Sequence, residues 1–110
     1  MLSIVIPTLN EEEYLPRILD SLKRQNFQGK GEVNVADSGS EDRTLEIARQ
    51  KNCKLATGAG KLPAKAKNKG AEAASGELIL FVDADVTLPE DFLKNSLEEF
   101  EKRKLDIASF

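Results

Sequence analysis

The sequence predicts an α/β domain built on a doubly wound, mostly parallel sheet in the strand order 3-2-1-4, with helices on both faces. Three observations predict it. Apolar strand-like runs alternate with helical periodicity four times before a fifth apolar run. Two of those runs, LSIVIP (2–7) and ELILFV (77–82), are nearly continuous, the pattern of strands covered on both faces. Acidic turns follow the second and fourth runs, on the rim beyond the strand carboxyl ends where such sheets bind ligands.

The first strand spans 2–7 and is closed by Pro7. Asn10 with Glu13 three residues on resembles a capping box, and Tyr14, Leu15, Ile18, Leu19 and Leu22 recur at helical spacing, so the first helix is expected over 11–25. Gly29 and Gly31 break that pattern, and Val33, Val35 and Ala36 rebuild a strand. Asp37-Ser38-Gly39-Ser40 then reads as a turn, with Ser40 capping a helix over 41–51 that packs through Leu45, Ile47 and Ala48. Residues 53–56 make a weak third strand. A helix over 61–75 carries Ala64, Ala66, Gly70, Ala71, Ala73 and Ala74 on its apolar side, and such small residues let a helix lie close on a sheet. Gly76 ends it. The fourth strand runs straight into Asp83-Ala84-Asp85. Thr87 as a cap and Pro89 near the start introduce a fourth helix, with Phe92, Leu93, Leu97 and Phe100 on one face, ending near Lys104. Residues 105–110 form a last strand. In the order 3-2-1-4, Leu9-Asn10-Glu11 lies beside Asp83-Ala84-Asp85.

Composition narrows the chemistry. A chain of 110 residues, 40% hydrophobic and 32% charged, fits one hydrophobic core in a soluble domain. No apolar run approaches the roughly 20 residues that cross a bilayer. Nothing at the N-terminus marks export, and the lone Cys53, read as a small core hydrophobe, allows no internal disulfide; a cytoplasmic protein is expected. A net charge of -3 argues against nucleic acid as a partner. With no histidine, the commonest metal ligand and general base are missing, and chemistry rests on carboxylates, lysines and backbone dipoles.

Asp83 and Asp85, two apart at a strand end, repel unless a cation or proton lies between them. Oxygen ligands suit magnesium or manganese, completed by phosphate oxygens and water. The plain alternative is an acidic turn capping the next helix. The turn from Asp37 to Ser40 shares the rim and suits ribose or base groups, or else is an Asx turn with a helix cap. Six lysines and no acid lie between residues 51 and 71. Lys61, Lys65 and Lys69 make one helical stripe, most simply solvated, whereas Lys67 points elsewhere and is either the lysine that meets a diphosphate or another solvated surface residue. Gly58-Ala59-Gly60-Lys61 is not a P-loop: Leu55 replaces its first glycine and Leu62 its hydroxyl.

Taken together, the segments resemble the family 2 glycosyltransferases over nearly the whole chain. SIVIPTLNEEEYLPRILDSL is similar to that family's opening strand and helix, VADSGSEDRT to its acidic turn, AKNKGAEAASGELILFVDADV to the stretch entering its metal-binding motif, and LPEDFL to the helix beyond. The resemblance implies the Rossmann-like GT-A fold, a nucleoside-diphosphate-sugar donor and a divalent cation, manganese or magnesium. It makes Asp85 the principal metal ligand, with Asp83 at the ribose or just behind Asp85 at the metal. It also implies that Pro7, Leu9 and Glu11 line the nucleoside pocket, that Asp37 borders the base, that Ser38 replaces an aspartate often read there, that Ala84 lies within the donor motif, and that Lys67 takes the place of an arginine near the diphosphate. The family's catalytic base belongs to a later half, so residues 1–110 are expected to be the donor-binding part of a truncated domain, inactive alone. An exposed C-terminal edge would let two copies pair, and a full-length form would work at the cytoplasmic face of a membrane. Two alternatives are a non-catalytic nucleotide-sugar-binding module and a haloacid-dehalogenase-like phosphatase with Asp83 as nucleophile, though Asp91 and Asp106 do not supply the latter's acidic pair.

Overall fold

The computed structural model describes residues 2–25, 31–58, 63–75, 78–86, 88–89, 91–103 and 107–109. Strands and helices alternate: β1 (Leu2–Thr8), α1 (Leu15–Lys23), β2 (Gly31–Asp37), α2 (Thr44–Gln50), β3 (Lys54–Ala56), α3 (Pro63–Ala73), β4 (Leu78–Phe81), α4 (Phe92–Arg103) and β5 (Ile107–Ser109). The five strands form one sheet in the order β3-β2-β1-β4-β5, parallel at every pairing, which confirms the expected order and adds the last run at its edge.

β1 is central, with Leu2 opposite Gly31 on one side and Leu78 on the other. Its alternate residues serve two cores. Leu2, Ile4 and Ile6 join Val35, Leu80 and Val82 under Leu15, Ile18 and Leu19 of α1, Ala48 of α2 and Leu93 of α4. Val5, with Ala36, packs against Ala66 of α3 on the opposite face. Burial on both faces is why LSIVIP shows no polar alternation.

α3 reaches the sheet more closely than ordinary side chains permit. A Cβ on Gly70 would stand 2.5 Å from Val5 Cγ1 and 2.9 Å from Ala36 Cβ, so the absent side chain is what admits the helix. The fully buried Asn34 donates its Nδ2 to Gly70 O at 3.4 Å across this contact, and its Oδ1 is without a partner among the described residues. Lys54 closes the far end of α3, donating Nζ to Ala73 O at 2.6 Å and Ser75 Oγ at 3.2 Å, a cation placed at a helix carboxyl end.

Three local expectations are corrected. The first helix begins at Leu15, not near residue 11, and its N-cap is Tyr14, whose side chain makes no capping bond. Asn10 adopts a left-handed φ of 54° and accepts Glu41 N–H at Oδ1 (2.8 Å), so it faces the next loop instead of forming a capping box with Glu13. Pro16, tolerated in a first turn where its missing N–H costs nothing, marks the true start. Ser40 does not cap the second helix, which starts at Thr44 with its first N–H bound to Asp42 Oδ1 at 2.9 Å. Gln25, beyond α1, pins the entry to α4 with two bonds, from Nε2 to Pro89 O (2.8 Å) and from Leu93 N–H to Oε1 (3.0 Å). The proposed cap Thr87 and the helix terminators Gly29, Gly76 and Lys104 lie outside the described residues, as do Lys61 and Leu62.

Cys53 is half-buried against the larger core, and burial pushes its thiol pKa up, as befits a packing residue. Among the described residues no helix is long and apolar enough to cross a membrane. Gly70→Ala is expected to destabilise the fold by about 1–3 kcal/mol through overpacking against Val5 and Ala36, read as a lower urea midpoint with an unchanged slope.

Candidate functional site

The carboxyl ends of β2, β1 and β4 stand side by side, and the segments leaving them form the rim. β1 and β2 remain paired to their last residues, Pro7 opposite Ala36 and Thr8 opposite Asp37, with Ser38 N–H donating to Thr8 O at 2.9 Å beyond them.

Asp37 organises this end. Its side chain is 1% exposed, and both carboxylate oxygens accept two protein donors. Oδ1 takes the hydroxyls of Thr8 (2.7 Å) and Ser40; Oδ2 takes Gly39 N–H (3.0 Å) and Ser40 N–H (2.8 Å). Burial alone would raise the pKa of this carboxyl, but the bonds from Ser40, Thr8 and Gly39 outweigh burial and hold it below the usual carboxylate value. Gly39, at φ 100°, supplies the left-handed residue this tight turn requires.

The segment leaving β1 is laced to the one leaving β2. Asn10 N–H donates to Ser40 Oγ (2.8 Å), Glu11 N–H to Thr44 Oγ1 (2.9 Å) and Glu12 N–H to Asp42 Oδ2 (3.1 Å). In return Glu41 N–H donates to Asn10 Oδ1 (2.8 Å) and Arg43 N–H to Glu12 Oε2 (3.4 Å). The side chains of Thr8, Ser40, Asp42 and Thr44 thus shape the rim, and of these only Ser40, within the acidic turn, stood in a sequence candidate.

On the other side of β1 the strand β4 stops at Phe81, and Val82 N–H continues the ladder to Val5 O at 3.0 Å. Asp83-Ala84-Asp85, directly beyond the end of β4, is a turn in which Val86 N–H donates to Asp83 O (3.4 Å). Ala84 is buried, and Asp83 and Asp85 are exposed on either side of it. The expected meeting with the first loop occurs: the half-buried Glu11 has its pKa raised by burial and then by the charges of Asp85, Asp42 and Asp83. Lys67 is half-buried, with Nζ 5.7 Å from the centroid of the Phe81 ring, a cation–π arrangement two residues before Asp83. Lys65 and Lys69 are exposed, as a solvated stripe should be. Leu9 is 39% exposed at the rim, Pro7 is half-buried, and Ser38 is buried.

Among the described residues no group of three or more cysteine, aspartate or glutamate side chains could hold a metal ion. The oxygen donors of Asp83 and Asp85, close enough to Glu11 to raise its pKa, still fit magnesium or manganese, which take one or two carboxylates and fill their remaining positions with phosphate and water.

The profile of the family described as "Glycosyl transferase family 2" matches residues 3–110. A relative from Staphylococcus aureus, the poly(ribitol-phosphate) beta-N-acetylglucosaminyltransferase TarS, is 33% identical over 96% of this chain, which spans 20% of that relative's length. The crystal structure of TarS residues 1–349 in complex with UDP-GlcNAc superposes with a TM-score of 0.80 at 34% identity, covering 94% of this chain and 32% of that one. A mannosyltransferase from Pyrobaculum calidifontis, in complex with GDP-Man and Mn2+, gives a TM-score of 0.83 at 28% identity over 90% of this chain and 32% of its own.

Removing the four-bonded carboxylate tests the rim. Asp37→Asn is expected to cost about 1–3 kcal/mol at pH 7, because an amide presents donors where Thr8, Gly39 and Ser40 already donate. A depressed native pKa contributes stability that is present above the ordinary value of about 3.9 and lost as pH falls through the native value. Urea unfolding should therefore weaken in wild type between pH 5 and pH 2 by more than in the Asn variant, and parallel profiles would remove Asp37 from this role.

Proposed function

This chain belongs to glycosyl transferase family 2, and from that premise we propose that its 110 residues hold a nucleoside-diphosphate sugar for transfer to an acceptor. The observation that supports the reading is the adjacency of β1 and β4, whose outgoing segments carry Glu11 and the exposed Asp83 and Asp85, with the Glu11 pKa raised by burial and by the charges of Asp85, Asp42 and Asp83. Two exposed carboxylates at such a rim suit a bound cation whose remaining positions are filled by phosphate oxygens and water.

In this reading Asp85, with Asp83, holds magnesium or manganese. Such a cation supplies charge neutralisation at the departing diphosphate. Lys67, whose Nζ lies 5.7 Å from the Phe81 ring centroid, meets the same phosphates from the α3 side. Pro7, Leu9 and Glu11 line the nucleoside pocket, and Ala84, buried within its turn, sets the spacing of the two aspartates. Asp37 has no acceptor capacity left for a ligand, so it borders the base by holding the turn from Ser38 to Ser40. The relatives named above, one with UDP-GlcNAc and one with GDP-Man and Mn2+, support the ligand class and the cation. Acceptor recognition and the general base are assigned to the larger part of such enzymes that this chain does not match. A half-buried lone thiol suits a cytoplasmic setting. A transferase family leaves the phosphatase alternative without support.

Calorimetry decides the donor reading. UDP or GDP is expected to bind at least about tenfold more tightly with Mn2+ than in EDTA, and Asp85→Ala should remove that difference. Equal affinity with and without the cation, or an unchanged Asp85→Ala variant, would overturn the metal assignment.

A further inference from the structure

We infer that Thr44 is a positioning residue of the donor site, acting through the backbone of Glu11; this rests on the donor-binding reading above. Residues 9–14 leave β1 and reach α1 without belonging to the sheet, so their N–H groups must find partners elsewhere. Two consecutive ones end on a single pair from the neighbouring loop. Thr44 Oγ1 accepts Glu11 N–H at 2.9 Å and donates its own proton to Asp42 Oδ1, while Asp42 Oδ2 accepts Glu12 N–H at 3.1 Å. The hydroxyl is a relay that must accept and donate at once, which serine and threonine can do and an isosteric valine cannot.

Thr44 is fully buried in the first turn of α2, and its own N–H is fixed to Asp42 Oδ1 at 2.9 Å, so the relay is held by a rigid element. A parallel relay lies one residue earlier, from Asn10 N–H through Ser40 Oγ to Asp37 Oδ1. The two differ in what they hold. The Asn10 relay fixes a left-handed corner, whereas the Thr44 relay fixes the residue whose carboxyl feels Asp85 and Asp83. Among the described residues Thr44 bonds to Glu11 and Asp42 and to none of Lys67, Asp83 and Asp85, so its effect on binding travels through the Glu11 backbone.

Thr44→Val, Thr44→Ser and Asp42→Ala, compared with wild type, test the relay by amide hydrogen exchange in the nucleotide-free protein and by calorimetry of UDP and GDP with Mn2+. Thr44→Val is expected to speed exchange at Glu11 and weaken nucleotide binding, each by about tenfold, while Thr44→Ser keeps both within about threefold of wild type. Should Thr44→Val fail to fold, Asp42→Ala, at the half-exposed end of the relay, carries the same expectation. Wild-type exchange and binding in the folded valine or alanine variant would overturn the inference. A serine variant as impaired as the valine one would do so too, because the effect would then belong to packing. If wild type binds neither nucleotide, the donor reading falls and takes this inference with it; if wild type binds and Thr44→Val binds equally well, this inference falls alone.

Discussion

A carboxylate taken out of water must be surrounded by donors, and Asp37 draws its donors from two segments far apart in sequence. Thr8 comes from the end of β1, and Gly39 and Ser40 from the turn after β2. Satisfying that one charge makes the two strands end level and folds the second loop back over the first. Ser40, once recruited, has its oxygen free to receive Asn10 N–H, and the corner at Asn10 follows. The rim is therefore ordered from beneath by a buried charge, while Asp83 and Asp85 across β1 are exposed.

The two faces of the sheet divide the work. Larger side chains of α1, α2 and α4 fill one core, which supplies most of the apolar burial at about 1.5–3 kcal/mol for each fully covered aliphatic side chain. The other face is thin. Ala66 and Gly70 give it little volume, and in exchange α3 lies against β1 and β2 closely enough to carry Lys67 to the end of β4. Close packing there serves placement of a cation more than cohesion of the fold.

The strands were legible because burial on both faces leaves long apolar runs that no helix of that length would show, and their order followed from alternation with helices. The resemblance quoted for residues 3–22, 35–44, 66–86 and 88–93 anticipated the family that the profile match shows. The loops were legible in composition but not in partnership. Asn10, Ser40, Asp42 and Thr44 are all residue types that cap helices locally, and the sequence offers no sign that all four bond across some thirty residues instead. Pro16 was the available signal for where α1 starts, since a proline is at home only in a first turn. The end of β4 was hidden for a related reason: a continuous apolar run gives no mark of the residue at which pairing stops.

The strand order also fixes a schedule for the chain as it is made. β1 is the middle of the sheet, yet it is synthesised before both strands that flank it, and Leu2 meets Leu78 only after every element up to β4 has been translated. Until then Ile4, Val5 and Ile6 belong to a sticky segment with one open edge. Non-local parallel pairing of this kind is slow to form, and its intermediates expose strand edges. The same central placement that steadies the finished rim makes the first strand the part of the nascent protein most in need of protection, and it makes completion of β4 the event after which that protection can be released.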